Sequence, residues 1–147
     1  MHLRLTVVLA IGVASFSVAA ENEQKAPTLD ELVAKNVEAK PKNVVHLLTG
    51  AGDPFDEWME SLKDATAFSK INIRLKRIAQ GNLGDHGPVG QGVSELREHY
   101  GPGYRVYFGQ DGDTVILLTG GTKKTQARDI AKSEGSLEGV RTCLRER

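Results

Sequence analysis

The residues best placed to do chemistry in this chain are Arg97, Arg105, Lys123 and Lys124. All lie in one run, GVSELREHYGPGYRVYFGQDGDTVILLTGGTKKTQARDI, from Gly92 to Ile130. Guanidinium and ammonium groups stabilise the negative charge that builds on non-bridging phosphate oxygens, so the set suits metal-free RNA cleavage. In that reaction a ribose 2′-OH attacks the adjacent phosphorus, and holding it in line supplies much of the acceleration. One proton leaves the 2′-OH and another reaches the 5′ leaving oxygen. Lys123, Lys124, His99, Glu95 and Tyr107 are the side chains available for those transfers, and Tyr107 has the further option of stacking on a base. Less specific readings stand beside these. Arg97 has Glu95 and Glu98 within reach as ion-pair partners, and His99 beside a turn suits a structural or solvated role.

The elements that must position these groups follow from pattern. Strands are expected near Val93–Glu98, Tyr104–Phe108 and Thr114–Thr119, joined by turns at Gly101-Pro102-Gly103 and Asp111-Gly112. Period-two alternation turns Leu96, Val106 and Phe108 toward a core and Glu95, Arg97, Arg105 and Tyr107 away from it, onto an open face. TVILLT is apolar on both faces and belongs inside the sheet. Lys123 and Lys124 then open a helix, whose free N–H groups favour anions.

Upstream, VVHLLT (Val44–Thr49) reads as a buried strand. Asp53 and Pro54 supply an N-cap and a first helical residue. Phe55, Trp58, Met59 and Leu62 form one apolar stripe, which suits core packing. A second helix from about Thr66 buries Phe68, Ile71, Leu75 and Ile78 and ends near Gly81, completing a helical hairpin. Lys70, Arg74, Lys76 and Arg77 line its other face, as a solvated surface or as a contact for RNA or the ribosome. GNLGDHGPVGQ reads as a loop. It lacks the Gly-Lys-Ser/Thr ending of a phosphate loop and follows a helix.

At 147 residues with zero formal net charge, the chain supports one domain, and a nucleic-acid role must rest on local clustering. Cys143 is the single cysteine, which excludes an intrachain disulfide, and the histidines (His2, His46, His86, His99) lack ligand spacing. No metal or other cofactor is expected. Residues 1–20 have a basic start, an apolar stretch and a small-residue site at Val18-Ala19-Ala20, the pattern of a secretory signal, too short to span a membrane. No stable span is expected in the mature chain, and export follows if this start site is used. Residues 21–42 read as a polar linker with a capping box at Thr28 and Glu31. The main domain is expected over 43–134, with an atypical tail at 135–147.

From Pro54 to about Ile130, PFDEWMESL, INIRLKRIAQGNLGD, GVSELREHYGPGYRVYF, VILLTGG and TKKTQARDI together resemble the RelE/ParE superfamily, specifically addiction-module killer proteins near HigB. The resemblance implies an α/β (α+β) fold, with an N-terminal helical hairpin on a small twisted, mostly antiparallel sheet and a short C-terminal helix. It implies a cytoplasmic toxin of a type II toxin–antitoxin module, neutralised by a cognate antitoxin and acting as a ribosome-dependent mRNA endoribonuclease. Members of the same fold that poison DNA gyrase without nuclease activity give an alternative, and an exported or inactive fusion remnant gives another. The resemblance places the active site at Arg97, Arg105, Lys123 and Lys124, with Gln126 as a further contact. Two departures stand out: VVHLLTGAGD in place of the short strand before the first helix, and Gly135 and Gly139, expected to interrupt the last helix.

Overall fold

The computed structural model describes residues 39–146. The signal-like segment 1–20 and the expected capping box at Thr28 lie outside them. Strand β1 is Asn43–His46, followed by helices α1 (Pro54–Ser61) and α2 (Ala65–Ala79). Strands β2 (His86–Gly90), β3 (Val93–Glu98), β4 (Tyr104–Asp111) and β5 (Thr114–Thr122) then run in succession. A 3₁₀ turn, Lys123–Thr125, leads into helix α3 (Gln126–Arg145).

The fold is α+β, with one five-stranded mixed sheet in the order β1-β5-β4-β3-β2. Neighbours from β2 to β5 pair antiparallel, and β1 joins the far side of β5 in parallel. That parallel pairing requires the chain to cross over the sheet, and α1 and α2 make the crossing. Each helix begins at an aspartate. Asp53 Oδ1 accepts the amides of Phe55 and Asp56, both at 3.0 Å, and Asp64 Oδ1 accepts those of Thr66 and Ala67. Such caps satisfy N–H groups that a helix start leaves open.

Three layers result. Phe55, Met59, Ala67, Ile71 and Ile78 of the first two helices bury against Leu96, Val106, Phe108, Val115 and Leu117 of the sheet. On the other face Val93, Tyr107 and Leu118 pack with Leu137 of α3, and Ile130 joins them. Each fully buried aliphatic or aromatic side chain contributes about 1.5–3 kcal/mol. Phe68, expected in the core, is 44% exposed.

Several expectations from sequence need correction. The segment Val44–Thr49 is not a buried strand: β1 stops at His46, lies on the sheet edge and is only half-buried, and Leu48 is 76% exposed. A short strand, β1, does precede the first helix. GNLGDHGPVGQ is not all loop, because its second half forms edge strand β2 on β3, with a register shift between Pro88 and Gly90. The C-terminal helix is not short. It runs through Gly135 and Gly139 because both face open space, while Ser133 and Leu137 hold the helix to the sheet.

Candidate functional site

Arg97 and Arg105 are direct cross-strand partners on β3 and β4, and Glu95 pairs with Tyr107 one step along. Alternation therefore puts all four on one face, as the sequence suggests. That face is not open. Helix α3 covers it, leaving Tyr107 at 0%, Glu95 at 2% and Arg105 at 7% exposure. The reason lies along α3: Gln126 at its start reaches Glu95, and the helix continues through Gly135 to bring Leu137 over β4, against Gly109.

Glu95 is the hub of the buried network. Its Oε1 accepts Arg97 Nε at 2.9 Å, and its Oε2 accepts Gln126 Nε2 at 2.8 Å. Arg105 Nε lies 3.8 Å from the same Oε2, an electrostatic contact without a hydrogen bond. Arg105 Nη1 donates to the Tyr104 carbonyl at 3.0 Å. Two like charges directly opposite on a sheet repel, and the carboxylate between them offsets that repulsion. The Glu95 hydrogen bond raises Arg97 above its ordinary value, so the guanidinium stays charged.

Asp85, just before β2, completes the arrangement. Its Oδ1 accepts Arg97 Nη1 at 3.3 Å, and its Oδ2 lies 2.6 Å from His99 Nε2. The His99 hydrogen bond, and then Arg97, hold the Asp85 carboxyl below its usual range. Its carbonyl accepts Arg97 N at 3.0 Å and Arg74 Nη2 at 2.7 Å. Gly87 makes room for this: a Cβ there would lie 2.8 Å from Arg97 Nη2. Asp85 is the site residue that sequence reasoning missed. The glycines flanking it were the available signal, since such spacing marks close approach of another group to the backbone.

Tyr107 is not placed for chemistry. Its hydroxyl is buried with no hydrogen-bond partner among the described residues, and burial pushes the phenol up to about 12. Stacking on a base is closed to a side chain that is fully covered. Lys123 and Lys124 are exposed on the 3₁₀ turn. Lys123 N donates to the Gly103 carbonyl at 2.8 Å, docking that turn on the β3–β4 turn. A Cβ at Gly103 would lie 3.6 Å from Lys123 Cβ and 3.7 Å from Arg105 Nη1, so the stem of Lys123 and the Arg105 guanidinium flank that glycine. Gln126 is the first residue of α3 and reaches Glu95.

The basic face of α2 divides. Lys70, Arg74 and Arg77 line a groove of about 160 Å³ with Ile73 and Glu98. Lys70 Nζ stands 5.4 Å from the centre of the Tyr100 ring, and Arg74 is tied to Asp85. Lys76 is exposed in the last helical turn, where a cation complements the helix dipole.

The structure thus brings Arg97, Arg105 and Gln126 together on Glu95, sets His99 beside them through Asp85, and places Lys123 next to Arg105. The guanidiniums are paired with carboxylates rather than free. Arg97, whose side chain is 36% exposed, and the two exposed lysines remain for an anion. Among the described residues no group of three or more His, Cys, Asp or Glu could hold a metal ion. No helix there is long and apolar enough to cross a membrane.

An uncharacterized protein of Haemophilus influenzae is 49% identical over 81 residues, which cover 54% of this chain and 82% of that protein. No family model and no solved structure matches the chain.

Proposed function

The chain belongs to the same family as that Haemophilus influenzae protein, and we propose that it is a RelE/HigB-like toxin of a type II toxin–antitoxin module. It cleaves mRNA on the ribosome, halting translation and growth until a cognate antitoxin binds it. The observation that carries this reading is the cross-strand pair Arg97 and Arg105, held on Glu95. A phosphodiester reaching the exposed part of Arg97 meets positive charge fixed by Glu95, above the buried Arg105. There charge stabilisation is stronger than in water and needs no reorganisation. Glu95 acts from beneath by fixing Arg97, Arg105 adds buried positive charge opposite it, and Lys123 and Lys124 supply exposed ammonium groups. Lys70, Arg74 and Arg77 form a second basic strip suited to ribosomal RNA, where contact strength depends on salt.

Ribosomes are cytoplasmic, so the test compares the full chain with one starting at residue 21, each induced in bacteria. The reading expects growth arrest with new transcript ends within coding regions, strongest in the chain that lacks residues 1–20. Arrest with a DNA-damage response and intact transcripts identifies a gyrase poison instead. Full growth with both chains, at normal protein levels, overturns the toxin reading.

A further inference from the structure

We propose that His99, oriented by Asp85, is the general base that takes the proton from the attacking 2′-OH. The inference rests on the RNA-cleavage reading above. One carboxylate, Asp85, contacts both the Arg97 guanidinium and the His99 ring, through different oxygens. Whatever phosphate Arg97 engages is therefore next to this imidazole. Arg97 and His99 are two residues apart in the chain, His99 lying just past the end of β3.

The hydrogen bond also fixes the tautomer. With Nε2 donating to Asp85 Oδ2 at 2.6 Å, the neutral ring keeps its lone pair on Nδ1. That is the logic by which a buried aspartate orients a catalytic histidine. The His99 side chain is 71% exposed, so Nδ1 is open to a bound strand.

The step balances without a further reagent. Nδ1 removes the 2′-OH proton while the O2′–P bond forms and the P–O5′ bond breaks. Water protonates the departing O5′, and the imidazolium later returns its proton to solvent. The products are a 2′,3′-cyclic phosphate and a 5′-OH end. The charged groups around His99 are Asp85 before β2, Arg97 on β3, and Arg74 of α2 through the Asp85 carbonyl.

The test uses the full purified chain with ribosomes and a defined mRNA, comparing wild type, His99→Gln and Asp85→Asn across pH 5 to 9. His99→Gln should lower the cleavage rate at saturation by roughly 10²- to 10⁴-fold, leave the half-saturating ribosome concentration within about threefold, and remove the acid limb of the pH profile. Asp85→Asn should give a smaller loss and move that limb. Thermal unfolding of each variant shows whether the fold persists. Cleavage by His99→Gln with rate and acid limb unchanged overturns the assignment while leaving the nuclease reading intact. So does equal loss of rate and affinity with a lowered melting temperature. If wild type cleaves nothing, the nuclease reading fails and the assignment fails with it.

Discussion

Arg97 and Arg105 face each other across β3 and β4, and the buried Glu95 carboxylate contacts both. Neither guanidinium is a free surface charge, and the stability of the sheet end depends on the carboxylate between them. Replacing Glu95 with Gln leaves two opposed cations with one uncompensated charge inside. Losing one partner of a buried ion pair costs about 3–5 kcal/mol. Urea unfolding of Glu95→Gln should show a midpoint lowered to match. A loss below about 1 kcal/mol would mean that water or another group already screens the pair.

Tyr107 should behave as packing. Its hydroxyl makes no hydrogen bond to the described residues, so Tyr107→Phe removes an unsatisfied buried group and costs little or stabilises. Transcript cleavage by Tyr107→Phe should stay within about twofold of wild type. In alkaline titration followed by ultraviolet absorbance, the wild type should show one tyrosine ionising at about 12 that the variant lacks.

Asp53 makes the fold sensitive to acid. Burial alone would raise its carboxyl, but hydrogen bonds from the Asp56 and Phe55 amides and contact with His46 hold it below its ordinary value. A group lowered on folding stabilises above its unfolded pKa, and that contribution is lost as pH falls through the folded value. Asp53→Asn keeps a capping oxygen but cannot titrate. Its stability deficit against wild type should therefore shrink as pH drops from about 6 toward about 3. Melting curves across that range test the sign, and a deficit that grows on acidification would contradict it.

Gly120 of β5 lets the Trp58 ring of α1 lie directly on the strand, and a Cβ there would collide with that ring. Overpacking of this kind costs about 1–3 kcal/mol or more. Gly120→Ala should lower the melting temperature by roughly 5–15 °C on the scale usual for domains of this size. Gly135→Ala, in open space on α3, should be neutral or slightly stabilising.

Much of this architecture could be read from local pattern. Strand β3 falls at Val93–Glu98 as alternation predicts, and β4 and β5 begin where the GPG and DG turns place them. Helices α1 and α2 start at the aspartates that cap them. What stayed hidden depends on contacts distant in sequence. HGPVG has too little strand preference to declare itself and is a strand because β3 pairs with it. Arg105 and Tyr107 alternate onto the expected side, but nothing near them in sequence says that Leu137 will cover that side. Asp85 sits in a stretch whose glycines suggested only a loop, and its partners Arg97 and His99 lie beyond the next turn.

The central claim is that Arg97 presents the phosphate-binding edge of an RNA-cleaving site, and mapping 5′-hydroxyl transcript ends after induction of wild type and Arg97→Ala tests it most directly. Arg97 is partly exposed, so the variant should remain folded, as a melting curve on the same protein verifies. The account predicts abundant new 5′-hydroxyl ends with wild type and a loss of roughly 100-fold or more with Arg97→Ala. Equal cleavage by the folded Arg97→Ala protein would contradict it.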